Sequence, residues 1–254
     1  MITLSSILGF SKAPTSSFDH THALWTESLT QFIRPQSGYR SRVRYHRWKR
    51  HPEKLQSYLK TLQKVDSSQY ATWNSNQRKA FLINAYNALN VDLVLSLFPL
   101  PFDSLKDLAG FFSSPWSEKR FPLLGKKRSL DWIEHDNLRE NWMDPRIHFA
   151  LCHATRSSPM LRTEAFHAKT LDAELDQATR DFLKRRDLNY WDGDKTLHLS
   201  RIFHWYRNDF RRTEGSLGKF LAKWLETTPE RKKALTEDQV DFAFEDYDWR
   251  LNAN

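Results

Sequence analysis

The most hydrophobic stretch of the chain, residues 80–101, sits inside the longest helix that the sequence predicts. Asn74 or Ser75 is a good N-cap, apolar residues continue to Phe98, and Pro99 and Pro101 stop the helix. Asn84, Asn87, Asn90 and Asp92 interrupt the run, so it falls short of the eighteen or so consecutive apolar residues that a bilayer span needs. Asn84 and Asn87 lie three apart, on one face of an otherwise apolar helix. Buried amides need partners, so both are expected to bind backbone, namely that of the loop over residues 152–159.

Around this helix the chain reads as one large core-forming domain over residues 17–254, preceded by a mobile tail over residues 1–16. Ten Trp, eight Tyr and seventeen Phe among 254 residues exclude a disordered chain. A single cysteine, Cys152, excludes an internal disulfide and fits a reducing compartment. Residues 1–10 carry no leading positive charge and too short an apolar centre for a signal peptide, so a soluble protein of the cytoplasm or periplasm is expected. Net charge is +8, and from Arg34 to Arg50 there are seven basic residues and no acidic one. Arg40, Arg42 and Arg44 alternate with Ser41, Val43 and Tyr45, the period of a strand with one basic face. Such a face is either a solvated edge or a strip for phosphate or nucleic acid. No nucleic-acid motif accompanies it, which favours the edge.

Other spacings predict helices over residues 18–32, 52–62, 171–184, 200–210 and 217–225, with a short one opening at Ser129. Residues 103–128 read as loop, residues 146–152 as the best strand, and residues 190–199 as a hairpin turning at Asp192-Gly193-Asp194. The class is therefore α+β, mostly helical, with a small antiparallel sheet.

Five stretches, in order, resemble one family. Residues 80–89 (AFLINAYNAL) are similar to the "AFWIN-YNAL" helix of the domain of unknown function 547, and residues 129–135 (SLDWIEH) to its "SLDDIEH" segment. Residues 144–150 (DPRIHFA) match its "DPRIHFA" strand, residues 199–206 (LSRIFHWY) resemble "LSKIFxWY", and residues 247–252 (YDWRLN) resemble "YDWSLN". Many bacterial members have a loop of the form "NCASxGCP" after the "HFA" strand, beside a His and a Glu. That likeness implies a thiol hydrolase or transferase of the broadly papain-like kind. Here the loop is Cys152-His153-Ala154-Thr155-Arg156-Ser157-Ser158-Pro159, so His153 and Ser158 stand at the two cysteine positions and the one thiol has moved to Cys152.

The candidate catalytic set is His148 as base, Glu134 as its orienter, and Ser158 or Cys152 as nucleophile, the logic of a triad assembled across the chain. In an extended strand, Cys152 would lie about 13 Å from His148, and His153 would point to the other face. Asn84, Asn87 and Arg146 are candidate binding residues, with Asp209, Asp246 or Asp248 as partners for Arg146 or Arg139. Trp205 and Tyr206 read as core. Glu134-His135 lacks a second histidine at helical spacing, and no metal or cofactor is expected. Three functions follow: a divergent enzyme acting on an amide or ester of a small molecule or peptide, a non-catalytic binding or scaffold protein that has lost the loop cysteines, and a nucleic-acid module using Arg40, Arg42 and Arg44.

Overall fold

A computed structural model describes residues 17–99, 104, 105, 115–193 and 195–254; the tail over residues 1–16 lies outside them. Four helices precede the long one: α1 (Ala23–Phe32), α2 (Tyr45–Arg50), α3 (Glu53–Lys64) and α4 (Ser67–Ala71). The long helix, α5 (Ser75–Leu97), begins at a capping box in which the Asn74 side chain accepts from the Gln77 amide and Gln77 accepts from the Asn74 amide. Its residues are buried without a break from Lys79 to Val91, so it is a core helix covered on all sides. Among the described residues it is the one helix long and apolar enough to cross a membrane, and most of it lies inside the protein.

A hairpin, β1 (Ile33–Gln36) and β2 (Arg40–Val43), projects from the end of α1 in antiparallel register from Ile33 with Val43 to Gln36 with Arg40. The loop expected over residues 103–128 ends in a second antiparallel hairpin, β3 (Phe121–Leu123) and β4 (Lys126–Arg128), while residues 106–114 lie outside the described ones. The helix opening at Ser129, whose hydroxyl accepts from the Trp132 amide at 3.0 Å, is longer than expected. It runs as a π-helix, α6 (Trp132–Arg139), into a last turn, α7 (Glu140–Trp142).

The strand expected over residues 146–152 is not a strand. Residues Pro145–Phe149 form a 3-10 turn in which Pro145, Ile147, His148 and Phe149 are all buried. Proline at the first helical position fixes φ, and the Asp144 carboxylate caps the Arg146 amide at 3.1 Å, so the apolar alternation is overridden. Beyond it lie α8 (Leu171–Leu183), β5 (Tyr190–Asp192) and β6 (Thr196–Leu199); of the expected turn between these strands, residue 194 lies outside the described ones. The helix capped by Ser200 breaks at Tyr206 into α9 (Arg201–Trp205) and α10 (Arg207–Glu214). Then come α11 (Leu217–Trp224), α12 (Pro229–Thr236) and β7 (Asp241–Phe244). β5 pairs antiparallel with β6, but β7 pairs parallel with β6, so this third sheet is mixed rather than antiparallel. The protein is a mostly helical α+β fold.

Two hydrophobic clusters form the interior. The first wraps α5 with α1 to α3 and takes in Ile147 and Ala150; the second joins α8 to α12 with β6 and takes in Phe149. The 3-10 turn therefore faces both. After β7, residues 247–254 return as an extended strap between β2 and the loop over residues 152–159. The Val43 amide donates to the Asn252 carbonyl at 3.0 Å, the Arg156 amide to the Arg250 carbonyl at 2.9 Å, and the Asn252 amide to the Ala154 carbonyl at 3.0 Å.

At the edge of the first cluster His22 is buried, with Nδ1 2.7 Å from the Tyr58 hydroxyl, and burial lowers its pKa to about 3. In the unfolded chain the same imidazole takes a proton near its ordinary value of about 6.5. Between those values the unfolded state binds the extra proton. The contribution is therefore whole above about 6.5 and is lost as pH falls toward 3, at about 1.4 kcal/mol per pH unit. Urea unfolding from pH 7 down to pH 4 is expected to show a shallower loss of stability in His22→Asn than in the parent; equal slopes would refute this.

Candidate functional site

Between the two clusters lies a cavity of about 350 Å3. Its walls are Tyr86 of α5, Leu105 and Trp116, Asp131, Glu134 and His135 around α6, His153 of the loop, Ile202, Trp205 and Tyr206 at the α9–α10 break, and Tyr247 and Trp249 of the strap. Three indoles and three phenols make it predominantly aromatic. The π-helical winding of α6 brings Glu134 and His135 to the same wall, a departure from α geometry that recurs at functional sites.

Glu134 is buried and saturated. Its Oε1 accepts from the Tyr206 hydroxyl at 2.7 Å, and its Oε2 lies 3.3 Å from His153 Nε2. Burial pushes the carboxyl up, but the hydrogen bond and charge of His153, with the charges of His135 and His148, outweigh it and hold the group well below the usual range. An ionised Glu134 accepts from Nε2 of His153, and the other ring nitrogen, Nδ1, is buried and has no hydrogen-bond partner among the described residues. At His135 the argument runs the other way. Arg139 donates to Nδ1 at 3.2 Å, and a guanidinium only donates, so the ring keeps its proton on Nε2. Asp131 accepts no hydrogen bond from a described side chain, and burial, then the charges of Glu134 and Asp136, raise its pKa.

His148 is elsewhere. Its Nε2 is 2.8 Å from Asp209 Oδ2, its ring stacks on Tyr206 at 3.8 Å, and it is not a cavity residue. Burial lowers its pKa, against the opposing hydrogen bond and charge of Asp209 and the charge of Glu134. Asp209 also receives Arg139 through two bonds of 2.7 and 2.9 Å. These bonds, with burial opposing them, hold its carboxyl below the usual range.

The imagined triad therefore does not assemble: His148 has no hydrogen bond to Glu134, Ser158 or Cys152. Ser158 is buried and donates to the Thr155 and Pro159 carbonyls at 2.9 and 3.2 Å, the behaviour of a turn hydroxyl. Cys152 is buried with Sγ 3.5 Å from Ser158 Oγ, and burial raises its thiol pKa. Neither lines the cavity. The loop over residues 152–159 folds against the strap and not toward His148.

The binding candidates also find other work. Asn87 binds the Ala150 carbonyl and the Cys152 amide, both at 2.9 Å, whereas Asn84 binds Phe166 rather than the loop. Arg146 joins Asp144 to Asp172 and Asp176 on α8, away from the cavity, and Asp246 and Asp248 pair with Arg201 and Arg250. Trp205, expected in the core, is 46% exposed and walls the cavity together with Tyr206. Among the described residues no group of three or more His, Cys, Asp or Glu side chains is arranged to hold a metal ion. Sequence reasoning missed Trp116, Asp131, Tyr247 and Trp249 as site residues, although the last three lie inside stretches whose family likeness was already visible.

Residues 70–183 match the model of the family described as protein of unknown function, DUF547, a match that supports a DUF547 family protein. Nothing among curated proteins and nothing among solved structures matches it. The matched span carries α5, α6 and the loop with His153, hence one side of the cavity.

A buried, protonated thiol reacts only when the structure opens. Iodoacetamide is expected to label Cys152 more than about tenfold more slowly in the native protein than in urea. Equal rates would place the thiol at an open surface and overturn its assignment as a packing group.

Proposed function

We propose that this protein binds a small molecule in the aromatic cavity and uses neither Cys152 nor Ser158 as a nucleophile. One observation carries the reading. The cavity is walled by indoles and phenols, no thiol or serine hydroxyl of the described residues opens into it, and a half-buried carboxylate, Asp131, accepts no hydrogen bond from a described side chain. A few placed polar groups in an apolar hollow are the usual make-up of a ligand site. Aromatic faces beside a carboxylate attract a cation more than an anion. The ligand that fits is a flat, apolar body carrying an ammonium or another hydrogen-bond donor, set against Trp205 and Trp249 with its donor toward Asp131.

The test uses matched probes, phenethylamine and 3-phenylpropionate, read by quenching of tryptophan fluorescence. The amine is expected to saturate the signal and the acid not. Asp131→Asn and Trp205→Ala are each expected to weaken amine binding about tenfold, the loss of one charge-assisted bond or of one aromatic wall. Tighter binding of the acid, or no saturation by either probe, would overturn the reading.

A second reading, hydrolysis of an ester or amide in the same cavity by activated water, is favoured by the Glu134–His153 pair and the unpartnered Nδ1 of His153. There His153 takes the proton from water, Glu134 holds the imidazolium that forms, and the Nε2–H of His135 donates to the carbonyl oxygen. His153 stands where the family loop has its first cysteine, so this chemistry would replace a covalent step with a direct one. Hydrolysis of p-nitrophenyl acetate is expected to fall at least about tenfold in His153→Gln while amine binding persists; an unchanged rate removes this reading and leaves the first.

A further inference from the structure

On the other side of the strap lies a second hollow, of about 330 Å3, whose lining is polar and contains no aromatic residue. Its charged wall has five arginines and three aspartates. Each aspartate is already matched. Asp187 holds Arg185, whose buried guanidinium also donates to the Ser158 and Arg156 carbonyls at 2.8 and 2.9 Å. Both oxygens of Asp248 bond Arg250, and Asp246 bonds Arg201.

Three guanidiniums have no hydrogen bond to a carboxylate among the described residues, although the charges of Asp187 and Asp248 act on them from a distance. Arg40 donates to the Ser37 carbonyl at 3.3 Å and Arg42 to the Ala253 carbonyl at 3.0 Å. Arg156 has no ion pair among the described residues. They share one hollow: burial and then the positive charges of Arg156 and Arg40 lower the pKa of Arg42, against the opposing charge of Asp248. Beside them Ser157 is buried, its oxygen accepts the Asp248 amide at 2.9 Å, and its O–H bonds no described acceptor.

Five guanidiniums against three carboxylates leave an excess of positive charge in the hollow, which is unfavourable unless an anion completes it. One carboxylate occupies a single guanidinium fork, whereas a phosphoryl group offers several oxygens to several forks at once. We propose that this hollow binds the phosphoryl group of a small phosphorylated molecule, held by Arg40, Arg42 and Arg156 with the Ser157 hydroxyl. Its lining favours this over nucleic acid, because single-stranded binding relies on aromatic platforms and none of the described residues lining the hollow is aromatic. Of the basic alternation seen in the sequence, Arg40 and Arg42 reach the site and Arg44 does not.

The full chain is titrated calorimetrically with phenyl phosphate, inorganic pyrophosphate and an eight-nucleotide single-stranded DNA, at low and at physiological salt. Phenyl phosphate and pyrophosphate are expected to bind saturably, and Arg42→Gln and Arg156→Gln each to weaken them at least about tenfold. Arg47→Gln, outside the hollow, is expected to bind as the parent does. The Arg156 guanidinium makes no hydrogen bond to a described residue, and its backbone bonds are kept in the variant, so Arg156→Gln should melt near the parental temperature and report binding alone. No saturable binding of either phosphate compound, binding indifferent to both arginine variants, or binding of the oligonucleotide alone overturns the proposal.

Discussion

Three asparagine side chains along one helix hold the irregular backbone that both hollows are built on. Asn84 bonds the carbonyl and the amide of Phe166, at 2.7 and 3.0 Å. Asn87 bonds the Ala150 carbonyl and the Cys152 amide, and Asn90 donates to the Cys152 carbonyl at 2.7 Å while accepting from the Trp116 indole at 3.1 Å. Each carboxamide has one donor and one acceptor side, as a peptide group has. A row of them at spacing three replaces the strand partner that this backbone lacks. A buried backbone group left unpaired costs about 1–3 kcal/mol, and regular structure does not satisfy these. The helix therefore stays in register with the loop that bears His153 and with Trp116 on the cavity wall.

From that constraint the polar network divides in two. On one side of Tyr206, the ring of His148 and the fork of Arg139 meet on Asp209. Nearby, Asp144 joins Lys79 to Arg146 and so to α8. Apart from Nδ1 of His148, which is buried without a partner among the described residues, these groups bond one another and bind the 3-10 turn between the two hydrophobic clusters. On the other side, Glu134 takes the Tyr206 hydroxyl and His153 at the edge of a hollow. Tyr206 thus serves both: its ring covers His148 and its hydroxyl fixes Glu134. The pairing of a glutamate with an imidazole, expected for Glu134 and His148, is made with His153 instead.

The strap gives the two hollows their different chemistry. In an extended segment alternate side chains point to opposite faces. Tyr247 and Trp249 therefore wall the aromatic cavity, while Asp248, Arg250 and Asn252 line the arginine-rich one. The loop divides likewise, with His153 in the first hollow and Arg156 and Ser157 in the second. One short stretch of backbone pairing, from Val43 through Asn252 to Ala154, sets both sites.

Local chemistry was enough for much of the fold. The caps at Asn74, Ser129 and Ser200, the proline stop after Phe98 and the apolar spacing of α3 and α8 each act within a few residues, and so could be read directly. Residues 145–149 misled because their apolar alternation suited a strand, while the proline and the Asp144 cap favoured a turn whose buried faces come from two distant clusters. The same limit held at the site. Sequence singled out Glu134 and a chain folded around one apolar helix; it did not mark His153, Tyr247 or Trp249 as site residues, and it read Trp205 and Tyr206 as core. Only the tertiary structure decided that Glu134 meets His153, that Cys152 and Ser158 are sealed in a turn, and that Arg156 joins Arg40 and Arg42. Each of those pairings is set by burial and by hydrogen bonds between segments far apart in the chain, and neither has a local period to read.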